Sequence, residues 1–205
     1  MLKCFINKIL RKRRKSIMPD IKKIRQAMIE ERISEEIISK INFTDPGGND
    51  PLPVIAIINQ MDSMLSHEQC LSVMEKQGCC KSGQRDKECK KFGKQNIGRS
   101  LNEKIELLSS IQYMGTPKLN EDGTITTGIF WFQDGVYNCA CPSIKKLKKP
   151  VSVTSTYCGC CAGHFLYHYQ NALQLKLKLK EIKSSPISTN GSKPCEFIFE
   201  VIQML

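Results

Sequence analysis

No run of about 18 apolar residues occurs in the 205-residue chain, so it offers no candidate for a membrane-spanning helix. A secretory leader is not expected either. M-L-K-C-F-I-N-K-I-L is interrupted by Lys3, Asn7 and Lys8, runs straight into R-K-R-R-K, and is followed by no small-residue cleavage site. Glycine-rich phosphate loops, a G-x-S-x-G elbow and a dinucleotide fingerprint are all missing. His164 and His168 stand four residues apart without the intervening glutamate of H-E-x-x-H, which excludes the zinc-protease helix. Acidic residues are scarce in one place only. Residues 1–25 hold ten Lys/Arg against the single Asp20, whereas the rest of the chain balances 21 basic against 19 acidic residues. The net charge of +11 is therefore a property of the N-terminus, and the body shows no basic patch interleaved with aromatics. Nucleic acid is not expected as a partner. The lone Trp131, between Phe130 and Phe132, reads as strand core.

What is present divides into a basic extension, a helical part and a mixed part. Residues 1–17 carry Leu2, Phe5, Ile6, Ile9 and Leu10 at helical spacing among their basic residues. They offer a contact to a membrane surface or polyanion, but an extension outside the fold is the plainer reading, with Met18 a second candidate start. Residues 18–115 read as helices. Ile21, Ile24, Met28, Ile33, Ile37, Ile38 and Ile41 recur at three-four spacing, and T-D-P-G-G-N-D-P-L-P (44–53) is a linker. Residues 54–74 suggest one long helix closed by Gly78, and Ser100-Leu-Asn-Glu103 is a capping box opening a helix through Ile111. Residues 116–205 then change texture. Asp122-Gly123 marks a hairpin turn, 124–132 and 151–157 read as strands, and 161–173 as a helix. Leu175, Leu177, Leu179 and Ile182 alternate with lysines, as Cys195, Phe197, Phe199 and Val201 alternate with polar residues. The expected fold is α+β in one compact domain: N-terminal helices, then an antiparallel sheet with a strand–helix–strand–strand C-terminal unit.

Chemistry concentrates in Y-C-G-C-C-A-G-H-F-L-Y-H-Y (157–169) and in the upstream pair Cys139 and Cys141. Without a secretory route the eleven cysteines imply a reducing, cytoplasmic setting, where clustered thiols point to metal or redox chemistry rather than to bridges. Cys139-Ala-Cys141-Pro142 and Cys158-Gly-Cys160-Cys161 supply paired thiols in turns containing glycine or proline, the donor set of zinc or an iron–sulfur cluster. The metal candidates are Cys139, Cys141, Cys158, Cys160, Cys161 and His168, with His164 read as solvent-facing; burial as inert small hydrophobes is the competing reading. Cys79, Cys80 and Cys89 form a weaker second set.

The segment A-G-H-F-L-Y-H-Y-Q-N-A-L, the strand K-L-K-L-K-E-I and the final P-C-E-F-I-F-E-V resemble the 4-vinyl-reductase-type (hydrocarbon-binding) domain, with Glu181 and Cys195 at its recurring positions. That resemblance implies a small-ligand cavity between helices and sheet. This chain departs from the pattern in Cys139, Cys141 and Cys158–Cys161, and in Ser184-Ser185-Pro186 where a second cysteine is usual. Residues 18–202, with M-E-K-Q-G-C-C-K-S-G and T-Y-C-G-C-C-A-G-H-F, are also similar to a bacterial cysteine-rich family without an assigned activity, and more distantly to amino-thiazoline carboxylate hydrolases. Three functions stay open at this point. The first is a small-molecule or metal-binding, sensor-like protein with a cysteine-coordinated site. The second is a metal-dependent hydrolase of a small, sulfur-containing molecule with His168 as proton shuttle. The third is a thiol redox protein in which a helix N-terminus lowers the pKa of Cys160 or Cys161. Whether the chain is an enzyme, and its oligomeric state, are not legible here.

Overall fold

The computed structural model describes residues 19–204 other than 48, 49, 79, 80, 112, 113, 148 and 150. The basic stretch 1–17 and the thiols Cys4, Cys79 and Cys80 lie outside the described residues. The chain is α+β as expected, with seven helices among the described residues and an antiparallel sheet.

Helix α1 (Ile21–Glu30) starts where the Asp20 carboxylate accepts from the Lys23 amide at 3.1 Å, and buries Ile21, Ile24, Ala27 and Met28. Helix α2 (Glu35–Lys40) is capped in the same way by Ser34. The single long helix expected over 54–74 is two helices, α3 (Leu52–Met64) and α4 (His67–Glu75). The physical reason is a capping box. Ser66 accepts from the Gln69 amide at 3.2 Å while the Gln69 side chain accepts from the Ser66 amide at 3.0 Å, which makes a new helix start there. Helices α5 (Gln84–Gln95) and α6 (Leu101–Ser109) follow, the latter opened by the Ser100–Glu103 box as the sequence predicts.

Strands β1 (Lys118–Leu119) and β2 (Ile125–Ile129) form a hairpin about the Asn120–Gly123 turn, where Gly123 takes φ +79°. β3 (Phe132–Gln133) and β4 (Val136–Tyr137) make a separate two-stranded ribbon, so the apolar run 124–132 is split between two sheets. Residues 151–157 are not a strand: Ser155–Cys158 is a 3-10 helix that leads into α7 (Gly159–Leu173). The first strand of the C-terminal unit is thus β2, followed by α7, β5 (Leu175–Ser184) and β6 (Cys195–Met204), in sheet order β1-β2-β6-β5. β5 slips register between Leu179 and Glu181, and this bulge returns Ile182 to the face that Leu175, Leu177 and Leu179 bury.

Two apolar clusters result. Phe165, Tyr169 and Leu173 of α7 pack on Phe197, Phe199 and Leu177 of the sheet, while α1–α4 bury Met28, Ile58, Met61 and Val73 among themselves. α7 faces both clusters, because its Ala162 and Phe165 belong to the first and its Cys160 to the second. Its Gly159 and Gly163 let α4 approach. A Cβ on Gly159 would stand 2.5 Å from the Met74 Cβ, and one on Gly163 would overlap the Glu75 carbonyl. Gly78 does not end a helix in a left-handed turn; it lies against the Gly163 carbonyl in the same crossing.

Candidate functional site

Three chain segments bring thiols to one end of the sheet. Cys195 opens β6 opposite Ile129 of β2, and its side chain is 2% exposed. Next to it, Ser185 follows the last residue of β5 and is fully buried, and its hydroxyl reaches the Cys158 sulfur at the entrance to α7. The Cys139–Cys141 loop arrives from the β3–β4 ribbon. Its approach is fixed because the Tyr137 amide donates to the Gly191 carbonyl at 2.8 Å and the Asn138 amide donates to the Trp131 carbonyl at 2.8 Å. Within the loop the Cys141 amide donates to the Cys139 sulfur at 3.4 Å. The Tyr157 hydroxyl then meets the side chains of Cys141 and Ser143, which ties this loop to the residue preceding Cys158. The two loops that carry the sequence's thiol pairs therefore meet.

Electrostatics describe the same neighbourhood. Burial pushes the Cys158 thiol well above its ordinary value, and charge on Cys195, Cys139 or Cys141 would raise it further. Burial does the same to Cys161, reinforced by Cys158, Cys141, Cys195 and Cys139. Cys195 is pushed up to about 12 by burial and then by Cys139 and Cys141. Cys139 is raised by burial, with the Cys141 amide and the charge of Lys145 opposing. Four of the expected ligands, Cys139, Cys141, Cys158 and Cys161, thus share one apolar neighbourhood with Cys195. Among the described residues, no three His, Cys, Asp or Glu side chains are drawn together as metal ligands. The thiols are neighbours rather than a finished coordination sphere.

The other two expected ligands go elsewhere. Cys160 is one residue from Cys161, so the helix turns it away by about 100°. Its thiol donates to the Gln77 carbonyl at 3.3 Å, inside the helical cluster. His168 is two turns beyond Cys161, about 10 Å along the axis. Its ring, 1% exposed, packs edge-on against His164 at 4.6 Å and Tyr167 at 5.3 Å. His164 is not simply solvent-facing: its Nε2 lies 2.5 Å from Arg85 Nη1. At Cys161 desolvation and the neighbouring thiols push the pKa up, opposite in direction to the lowering expected at a helix N-terminus.

Sequence reasoning missed the parts that shape the site. Cys195 was visible only through the resemblance, and Ser185 stands where that resemblance expects a cysteine. Glu181, the other recurring position, is exposed at the β5 bulge. Asp62 had no signal at all. Its carboxylate accepts from the Thr154 hydroxyl at 2.5 Å and the Thr156 hydroxyl at 2.7 Å, holding the segment that leads into Cys158. A groove of about 380 Å³ borders the site, lined by Ile144, Leu147, Lys149, Val151, Val153, Pro186, Ile187 and Asn190. None of its lining residues is a cysteine. Compared with family models, curated proteins and solved structures, the chain has no significant match.

Proposed function

We propose that this is a metal-binding, sensor-like protein in which Cys139, Cys141, Cys158 and Cys161 hold a soft ion, zinc or an iron–sulfur cluster. The observation that carries the reading is the meeting of the Cys139–Cys141 loop with the segment that carries Cys158 and Cys161, tied by the Tyr157 hydroxyl to Cys141 and Ser143. A buried thiol has little chemistry of its own, since the thiolate is both the nucleophile and the ligand. A divalent ion changes that balance. It replaces the protons, draws the sulfurs inward and couples its binding to local order. The adjoining groove of about 380 Å³, mostly apolar with Lys149 and Asn190 as its polar members, would give a small molecule access to residues flanking the site, in keeping with the resemblance to small-ligand-binding 4-vinyl-reductase-type domains. His168, turned to the opposite end of α7, does not favour the hydrolase reading.

The test is elemental analysis and absorption spectroscopy of protein purified without oxygen. About one zinc, or one cluster, per chain is expected. It should be lost in Cys141→Ser and Cys158→Ser and kept in Cys160→Ser and Cys89→Ser. A metal-free protein that takes up neither zinc nor iron and sulfide on reconstitution, while all its thiols titrate as free after unfolding, would reject the reading.

A further inference from the structure

The aromatic triplet Phe130, Trp131 and Phe132 is not core. Phe130 is 52%, Trp131 39% and Phe132 59% exposed, and Val136 across the ribbon is 43% exposed. The β3–β4 ribbon is a two-residue pair of strands outside the main sheet, so it projects these side chains without burying them. Basic residues stand beside it. Lys145 Nζ lies 3.9 Å from the centre of the Trp131 ring. Lys146 and Lys149 line a groove of about 450 Å³ together with the exposed Leu52 and Val151. Between residues 130 and 151 the sequence has four lysines and one acid, Asp134, an excess larger than the +2 of the whole body beyond residue 25. Asp50 also borders the groove and opposes the lysines.

We propose that this face docks on an anionic lipid bilayer. Aromatic side chains beside lysines are the composition of the headgroup region, where rings enter the interface and ammonium groups stay among the lipid phosphates and carboxylates. Charge complementarity selects an anionic surface over a neutral one. Two details favour lipid over a single-stranded nucleic acid. One face of the Trp131 ring is covered by Lys145, which leaves less of it for stacking on a base. Phe132 already packs edge-on against Tyr137 at 4.9 Å, and Leu52, Val136 and Val151 add aliphatic surface that cannot stack on a base. The basic charges are lysines, point charges suited to a diffuse anionic plane rather than to forked recognition of single phosphates.

Trp131 is the chain's one tryptophan, so it reports on its own contact. The full chain is titrated with vesicles of phosphatidylcholine alone and of phosphatidylcholine with 30% phosphatidylserine, following Trp131 emission and its quenching by brominated acyl chains. Expected are a blue shift and quenching with the anionic vesicles only, reversed by salt. Phe130→Ser with Phe132→Ser should lower the affinity at least about tenfold, because each ring removes an inserted apolar surface; Lys146→Glu with Lys149→Glu should do likewise. These residues are exposed, and an unchanged far-ultraviolet spectrum verifies the fold. Vesicle binding that leaves Trp131 emission unshifted and survives both double variants would assign any affinity to residues 1–25 and overturn the proposal. So would a Trp131 response to single-stranded oligonucleotide that vesicles do not elicit.

Discussion

Gly163 of α7 rests directly on the backbone of Glu75 at the end of α4, with no room for a Cβ between them. Gly159 makes a comparable contact one turn earlier against the Met74 Cβ, and Gly78 meets the Gly163 carbonyl in the same crossing. The G-C-C-A-G spacing thus places the thiols of α7 by setting how closely two helices cross. Gly163→Ala must force the helices apart, since the neighbour is backbone and cannot rotate away. The expected cost is about 3 kcal/mol, read as a lower urea midpoint with unchanged slope. An alanine variant within about 0.5 kcal/mol of the parent would show that the crossing is looser than the contact implies.

Asp62 acts at longer range. It receives two hydroxyl hydrogen bonds, from Thr154 and Thr156, and its charge also stands beside the buried Cys70 thiol. Asp62→Asn keeps the shape and removes the charge, so about 1.5–3 kcal/mol of stability should go with the two charge-assisted bonds. Cys70, pushed up to about 12 by burial first and Asp62 next, should then ionise at lower pH. Alkylation of Cys70 as a function of pH reads this directly, and an unshifted profile would leave burial as the sole cause.

Periodicity made the helices and the last two strands legible, because each buries one face: Ile21, Ile24 and Met28 on α1, and Leu175, Leu177 and Leu179 on β5. It failed where a short polar signal interrupts an apolar run, as Ser66–Gln69 divides α3 from α4. It failed again where an apolar run is not buried, as at Phe130–Phe132. In the site, spacing identified the thiol pairs but not their directions. Cys158 and Cys161 share a face because they are three residues apart, and Cys160 cannot join them. Asp62 was invisible, and so were the contacts that Ser185 and Tyr157 make, because each acts across a long stretch of chain, through contacts that no local pattern encodes.

Alkaline pH should unfold the protein through thiols remote from the proposed ligands. Burial raises Cys89 from 9.0 to about 11 and Cys70 from 9.0 to about 12. An acid whose folded pKa is raised keeps its proton in the native state while the unfolded chain releases it. Stability is therefore full below about pH 9 and is lost as pH rises from there toward 11 for Cys89 and 12 for Cys70. Each thiol contributes a slope of about 1.4 kcal/mol per pH unit within its window. Urea midpoints measured from pH 7 to 10.5 should fall above pH 9, and Cys70→Ala with Cys89→Ala should make that limb shallower by the share of these two thiols, the remainder belonging to other raised thiols such as Cys195. A decline equally steep in the double variant would place its origin elsewhere.

Tyr157 joins the Cys139–Cys141 loop to the entrance of α7. Its hydroxyl, held protonated by burial, meets Cys141 and Ser143, while its ring packs in the helical cluster. Tyr157→Phe keeps the ring and deletes the tie, so the global cost should be small, about 1 kcal/mol. The local effect should be larger, because the loop then opens without unfolding the core. Maleimide should modify Cys139 and Cys141 several-fold faster in the variant at pH 7.5, with Cys70 and Cys89 unchanged. If all four thiols accelerate together, the phenol stabilises the fold as a whole and does not hold the loop in particular. If none accelerates, backbone bonds such as Tyr137 to Gly191 are sufficient to keep the loop in place.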